Sequence, residues 1–286
     1  MAIASLKIQH FYDKDTGTLS YVVHDTLSKD AVIIDPVMDF DPKDNSVHDH
    51  SATRLLSYCR EQECSVHLIF ETHAHADHLS GSSLVQKAYP RANTAIGREI
   101  TIVQKAFVEI FQITNLPCDG SAFDLLFSEE EPLRAGSIEI QPIHIPGHTP
   151  ACYGLKIGNN FFTGDAIFAA DLGTGRCDFP GGNPRGLFRS IKEKIYRLED
   201  ETMLYFGHDY PEQNKRELCY CMPLAKEKEE NIRVSIKVEE EDFVRERQKK
   251  DKTLPLPRLF YPSLLSAIHG GNLPIDYREK LAAVGK

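Results

Sequence analysis

Short runs in which apolar residues dominate or alternate with polar ones open the chain, at Leu6 to Phe11, Leu19 to His24 and Ala31 to Ile34. Polar turns containing Gly17, Ser28 and Asp30 separate them, so the pattern predicts three strands forming the antiparallel start of a sheet. Helical spacing takes over from Ala52 to Arg60. Val66 to Phe70 is then an apolar run short enough to be a buried strand. Ser80 to Ala88 and Glu99 to Phe111 return to helical spacing, with Ala95-Ile96 as a short strand between them. Strand-like runs resume at Ile138 to Ile145, Tyr153 to Ile157 and Asn160 to Thr163. The second half therefore repeats the strands-then-helices plan of the first. Asn183-Pro184 supplies an N-cap and a first-turn proline for a helix whose residues Leu187, Phe188, Ile191, Ile195 and Leu198 share one face. Met203 to Phe206 predicts another strand, ending at Gly207-His208. Leu224 to Lys250 reads as a charged helical stretch whose Glu239 to Glu241 run is a solvated face. No low-complexity linker interrupts the pattern, so the expectation is one domain over 1–286 with a helical extension from about residue 211.

The 286 residues are 41% apolar, enough for a substantial core. No stretch approaches the roughly 20 apolar residues of a membrane span, and Met1-Ala2-Ile3-Ala4-Ser5-Leu6 runs straight into strand-like sequence. A soluble, cytoplasmic protein is expected. The formal charge of -9 repels nucleic acid and anionic membranes. An anionic substrate would therefore need a local group of cations. Seven cysteines, odd in number and without CxxC spacing, argue against a disulfide framework. Cys219 and Cys221 lack the second pair that a zinc site needs.

Candidate chemistry concentrates where the Val66 to Phe70 strand ends, in Thr72-His73-Ala74-His75-Ala76-Asp77-His78. Three imidazoles and a carboxylate so close together would each need a polar partner if they were structural, and a metal supplies one partner for several. The helix-based HExxH pattern is absent, so the cluster belongs on a turn. Three further groups follow strand-like runs and glycines: His148 in Pro146-Gly147-His148-Thr149, Asp165 in Thr163-Gly164-Asp165 and His208 in Gly207-His208-Asp209-Tyr210. His48-Asp49-His50 has ligand-type residues too, but its polar setting reads as a flexible loop outside the site.

The succession HxHxDH, PGHT, TGD and GHD resembles the metallo-β-lactamase superfamily over most of residues 5–210. Gly173-Thr174-Gly175-Arg176-Cys177-Asp178-Phe179-Pro180-Gly181-Gly182 with Gly207-His208-Asp209-Tyr210 resembles its persulfide dioxygenase (sulfur dioxygenase) branch. Asn231-Ile232-Arg233-Val234, Leu256-Pro257-Arg258-Leu259, Pro262-Ser263 and Gly270-Gly271-Asn272-Leu273-Pro274 are similar to it as well. Departures fall at Ala267 and His269, where relatives often carry Asn and Arg, and in Cys219 to Pro223.

The resemblance implies an α+β fold, an αββα sandwich of two mixed sheets flanked by helices with metal at one edge. It also implies one iron(II) per chain on His73, His148 and Asp165, with His75, Asp77, His78 and His208 as surrounding groups or holders of a second metal. Two imidazoles and one carboxylate leave coordination positions open for a co-substrate. The implied reaction oxidises glutathione persulfide with O2 and water to sulfite and glutathione. Arg176 and Tyr210 are candidates for contacting that substrate, and Arg233 and Arg258 are further cations that could do so. Asp77 is a candidate acceptor fixing the ligand tautomers, and Cys177 reads as an inert thiol. Two alternatives stand beside this: a dinuclear zinc hydrolase, such as a glyoxalase-II-like thioesterase or a lactonase, and a non-catalytic binding module on the same fold. A homodimer is the base-rate expectation.

Overall fold

A computed structural model describes residues 5–273. The opening Met1 to Ala4, used above in reading the start of the chain, and Pro274 of the last motif lie outside the described residues. The first half contains β1 (Leu6–Asp13), β2 (Thr18–Asp25), β3 (Asp30–Ile34), β4 (Val37–Asp41), β5 (Ser46–His48), α1 (His50–Glu61), β6 (Ser65–Glu71), β7 (Leu79–Ser80), α2 (Ser82–Ala88), β8 (Asn93–Gly97), α3 (Ile100–Phe111) and β9 (Leu125–Phe127). The second contains β10 (Leu133–Ala135), β11 (Ile138–His144), β12 (Tyr153–Ile157), β13 (Asn160–Phe162), α4 (Pro184–Glu193), β14 (Met203–Tyr205), α5 (Pro211–Asn214), β15 (Cys221–Pro223), α6 (Leu224–Glu230), α7 (Glu240–Asp251) and α8 (Phe260–Ile268).

Each half builds one six-stranded sheet, in the orders β1-β2-β3-β6-β8-β9 and β10-β11-β12-β13-β14-β15. Strands β1 to β3 pair antiparallel, as their spacing predicts, whereas β3, β6, β8 and β9 run parallel. Parallel neighbours need a crossover, and α1 supplies it between β3 and β6. The second sheet is antiparallel except at β13 and β14. Both sheets are thus mixed, and together with the helices they form an αββα sandwich.

Side-chain alternation explains the layers. Leu19, Tyr21 and Val23 of β2, Val32 and Ile34 of β3, and Leu68 and Phe70 of β6 pack with Ile138, Ile140, Leu155 and Leu204 of the other sheet. On the opposite face, Val22, Ala31, Ile33, Val66 and Ile69 meet Leu55, Leu56 and Cys59 of α1 and Val85 of α2. Burial on both faces is why these strands read as nearly continuous apolar runs. A third cluster joins Val103 and Phe107 of α3 to Leu264, Leu265 and Ile268 of α8, and reaches Ala74 and Ala76 beside the ligand loop. No helix among the described residues is long and apolar enough to cross a membrane.

Several expectations need correction. The stretch from Leu224 to Lys250 is two helices, because the Asn231 carboxamide oxygen accepts from the main-chain N–H groups of Arg233 (2.9 Å) and Val234 (3.1 Å). That local bond competes with helix propagation. The helix capped by Asn183 ends at Glu193, and Ile195–Arg197 is a separate 3-10 turn. His48-Asp49-His50 is not a loose loop: His48 ends β5, which pairs with β4, and His50 begins α1.

Candidate metal centre

Glu71 closes β6, and the chain turns at once through Thr72 to His78; the connections after β11, β13 and β14 bring His148, Asp165 and His208 to the same end of the sandwich. At the second of these turns Gly164 has φ +48, and a Cβ there would lie 2.7 Å from Thr72 Oγ1. Only glycine lets the Asp165 loop press so closely on the His73 loop. His73 Nε2 lies 3.8 Å and His148 Nε2 3.6 Å from Asp165 Oδ2. The three residues each present a ligand atom, all within 4.8 Å of one another.

The hydrogen bonds behind these rings decide which nitrogens face the centre. Thr72 Oγ1 donates to Asp35 Oδ2 at 2.8 Å, which leaves it to accept from His73 Nδ1 at 3.0 Å. The main-chain oxygen of Arg176 accepts from His148 Nδ1 at 2.6 Å. Both rings therefore carry a proton on Nδ1 and turn Nε2 inward, where a metal would meet it. The expectation that Asp77 fixes these tautomers is corrected: Asp77 Oδ2 lies 3.2 Å from His208 Nε2 and accepts from Thr18 Oγ1 at 3.4 Å. Burial, with neighbouring imidazoles, holds His73 well below the usual imidazole range, which keeps it neutral as a ligand must be. Although burial would lift the Asp77 carboxyl, His208 and His78 outweigh it and bring it down to about 2.

A second set, His75, Asp77 and His78, also gathers its ligand atoms within 4.8 Å. His78 donates from Nδ1 to the Leu79 main-chain oxygen at 3.1 Å, leaving Nε2 buried without a partner. His75 Nε2 sits 3.1 Å from both Asp35 Oδ1 and Glu71 Oε2. Burial opposes a charge on His75, yet these two carboxylates raise it well above the usual range. Glu71 is held in turn by the hydroxyls of Ser80 and Ser82, which donate to Oε1.

His73 Nε2, His75 Nδ1, His78 Nε2 and Asp165 Oδ1 are all buried without a hydrogen-bond partner. So many orphaned polar atoms in one place are costly in apolar surroundings, and a divalent cation held by His73 Nε2, His78 Nε2 or Asp165 Oδ1 removes part of that cost. The donor set fits a metal.

A cavity of about 610 Å³ opens over this centre, lined by His148, Asp165 and His208 at one side and by Arg233, Lys250 and Arg258 among others. Tyr210 lines it too and stacks on His208 at 6.0 Å. Burial, with Asp77 and Asp165 nearby, keeps its phenol protonated. Arg176 also lines the cavity, but its guanidinium is committed: Nε and Nη2 donate to the Asp178 carboxylate at 2.6 and 2.7 Å, and Nη1 to the Pro255 main-chain oxygen at 2.7 Å. Cys177 is buried, which pushes its thiol far up, in keeping with an inert residue. Ala267 and His269 belong to the end of α8 and do not line the cavity.

Asp35, Glu71 and Thr72 were missed as parts of the site. The signal was present, since Asp35 and Glu71 each end an apolar strand and are buried, where a carboxylate needs a specific partner. Asp35 also adopts φ +49, uncommon for a residue with a Cβ.

The family model of the metallo-beta-lactamase superfamily matches residues 13–208. Glyoxylase B2 of Dictyostelium discoideum is 37% identical over 94% of this chain and 92% of its own. The mitochondrial persulfide dioxygenase ETHE1 of Homo sapiens is 29% identical over 72% of this chain and 70% of its own. The crystal structure of ETHE1 from Myxococcus xanthus has a TM-score of 0.74 at 26% identity, covering 93% of this chain and 100% of that one.

Proposed function

Since the chain belongs to the metallo-beta-lactamase superfamily, we propose that it is an iron(II)-dependent dioxygenase that oxidises glutathione persulfide with O2 and water to sulfite and glutathione. The observation that carries this reading is the convergence of His73, His148 and Asp165, two imidazoles and one carboxyl side chain, beside an open cavity. That donor set is the two-histidine, one-carboxylate triad typical of non-haem iron oxygenases. The similarity to the persulfide dioxygenase ETHE1 of Homo sapiens supports it. Iron held there would supply the redox chemistry and free coordination positions. The balance closes: O2 accepts four electrons from the terminal sulfur and supplies two of the sulfite oxygens, water supplies the third, the S–S bond breaks, and glutathione leaves as the thiol with a proton released in the reaction.

The protein's own share is binding and orientation. Arg233, Lys250 and Arg258 would hold the glutathione carboxylates, a role that the Arg176 guanidinium, already neutralised by Asp178, can fill only through its remaining N–H groups. Tyr210, held protonated, would donate to the substrate. Phe168, Leu172 and Phe179 form apolar wall that keeps bulk water from the reacting sulfur.

One observation favours a second reading, a dinuclear zinc hydrolase: His75, Asp77 and His78 form another compact donor set next to the first. The Dictyostelium relative's name, Glyoxylase B2, points the same way. Anaerobic loading with iron(II) followed by oxygen uptake on adding glutathione persulfide separates the two. One iron per chain and uptake of one O2 per sulfite formed are expected. Two zinc ions per chain with cleavage of a glutathione thioester, and no oxygen uptake, would replace this proposal with the hydrolase.

A further inference from the structure

Residues 173–178 cross beneath the candidate centre without joining a sheet or helix, so no ladder satisfies their main-chain groups. Side chains of α7 take over part of that task. Arg247 Nη1 donates to the Thr174 main-chain oxygen at 3.1 Å, and the Cys177 N–H donates to Asp251 Oδ2 at 3.0 Å. The two side chains are themselves an ion pair, Nη2 to Oδ1 at 2.5 Å, with 7% and 6% of their surface exposed. Between the two tethered residues lie Gly175 and Arg176. A Cβ on Gly175 would be 2.1 Å from the Asp165 main-chain oxygen and 3.4 Å from His148 Nδ1, so the segment is pressed against both. Arg176 contributes the oxygen that receives the His148 Nδ1 proton at 2.6 Å.

We propose that Arg247 and Asp251 are positioning residues for His148: by clamping the main chain at Thr174 and Cys177 they hold the Arg176 oxygen where it fixes the His148 tautomer and leaves Nε2 for the metal. The inference rests on the reading that His148 holds the metal. It does not depend on which metal is used or which reaction follows. A buried ion pair is seldom more stabilising than well-packed apolar residues of similar volume, because both charges lose their hydration. Its tie to two main-chain points on either side of the Arg176 oxygen gives it a geometric task that an apolar pair could not perform.

That contrast supplies the test. In the double variant Arg247→Met/Asp251→Leu an apolar pair replaces the ionic one, so the fold is kept while the clamp is lost. Metal-free protein is titrated with cobalt(II) and followed by its absorption bands, beside urea unfolding and ¹⁵N NMR of the imidazole nitrogens. The expected result is a cooperative urea transition whose midpoint is lowered by no more than two unpaired main-chain groups would cause, a His148 ring no longer confined to the Nδ1–H tautomer, and cobalt affinity lowered about ten- to a hundredfold. Parent-like affinity and tautomer in the folded double variant would overturn the proposal. Should that variant not fold, Arg247→Lys decides: it keeps a charge near Asp251 but cannot also bridge to Thr174, so parent-like behaviour there is equally fatal. His148→Ala is the control for the underlying reading. If it leaves cobalt affinity unchanged, the ligand assignment fails, while the tautomer measurement still judges the clamp.

Discussion

His73 and His148 can serve as ligands only because something else takes their Nδ1 protons, and those acceptors are a threonine hydroxyl and a main-chain oxygen. Neither acceptor can be picked out by residue type, which is why the ring-bearing residues were legible in the sequence and their orienting partners were not. The same geometry sets the consequence of removing each group. His148→Ala and Asp165→Ala should each abolish iron retention, because a three-residue site that loses a ligand keeps too little affinity. His75→Ala should retain most of its iron, since His75 faces the second set and is held by Asp35 and Glu71. Metal content per chain, measured after gel filtration, checks both. Equal loss in all three variants would favour the two-metal arrangement.

Among the elements, the strands that lead into the candidate site are all legible in the sequence pattern. Val66 to Phe70, Ile138 to Ile145, Asn160 to Thr163 and Met203 to Phe206 all form strands within one or two residues of their predicted ends, because each is an apolar or alternating run closed by a glycine or polar turn. The strands that escaped are β4, of five residues, and β5, β7, β9, β10 and β15, each of two or three and too short for any period to register. The break between α6 and α7 was hidden for another reason: it depends on the Asn231 side chain turning back on its own main chain. Its Nδ2 also donates to Glu227 Oε2 at 2.8 Å. Glu227 is fully buried on α6, its Oε1 has no partner, and burial raises its carboxyl to about 8. The folded chain therefore keeps a proton that the unfolded chain releases near 4.5. The stability linked to that proton is complete below about 4.5, declines as pH rises, and is gone above about 8. Glu227→Gln removes the titration and keeps an acceptor for Asn231. It should be more stable than the parent at pH 8.5 by about 1–4 kcal/mol, with a smaller gain at pH 5. Urea unfolding of both proteins at the two pH values checks this, and equal gains would place the Glu227 proton outside the linkage.

Across the whole molecule, a formal charge of -9 opposes the approach of any anion, yet the proposed substrate carries two carboxylates. Arg233, Lys250 and Arg258 offset that field locally: all three line the cavity, and none has an anionic partner among the described residues. Arg233 is the most enclosed of them, partly buried where it packs over Gly173, while Lys250 and Arg258 are exposed. A contact made in partial burial is screened less than one at the rim. Arg233→Gln should therefore lower kcat/KM for glutathione persulfide about ten- to a hundredfold, equivalent to roughly 1.5–3 kcal/mol for a lost charge-assisted hydrogen bond. Lys250→Gln and Arg258→Gln should cost less and should flatten the dependence of kcat/KM on ionic strength. A small persulfide without carboxylates should be turned over equally by parent and Arg233→Gln, because the missing contact was never available to it. Iron content should be unchanged, since Arg233 touches none of the ligand side chains. Loss of iron in Arg233→Gln, or an equal loss of activity on both substrates, would show that Arg233 supports the site's structure instead of recognising the substrate, and the carboxylate contact would have to be sought elsewhere in the cavity.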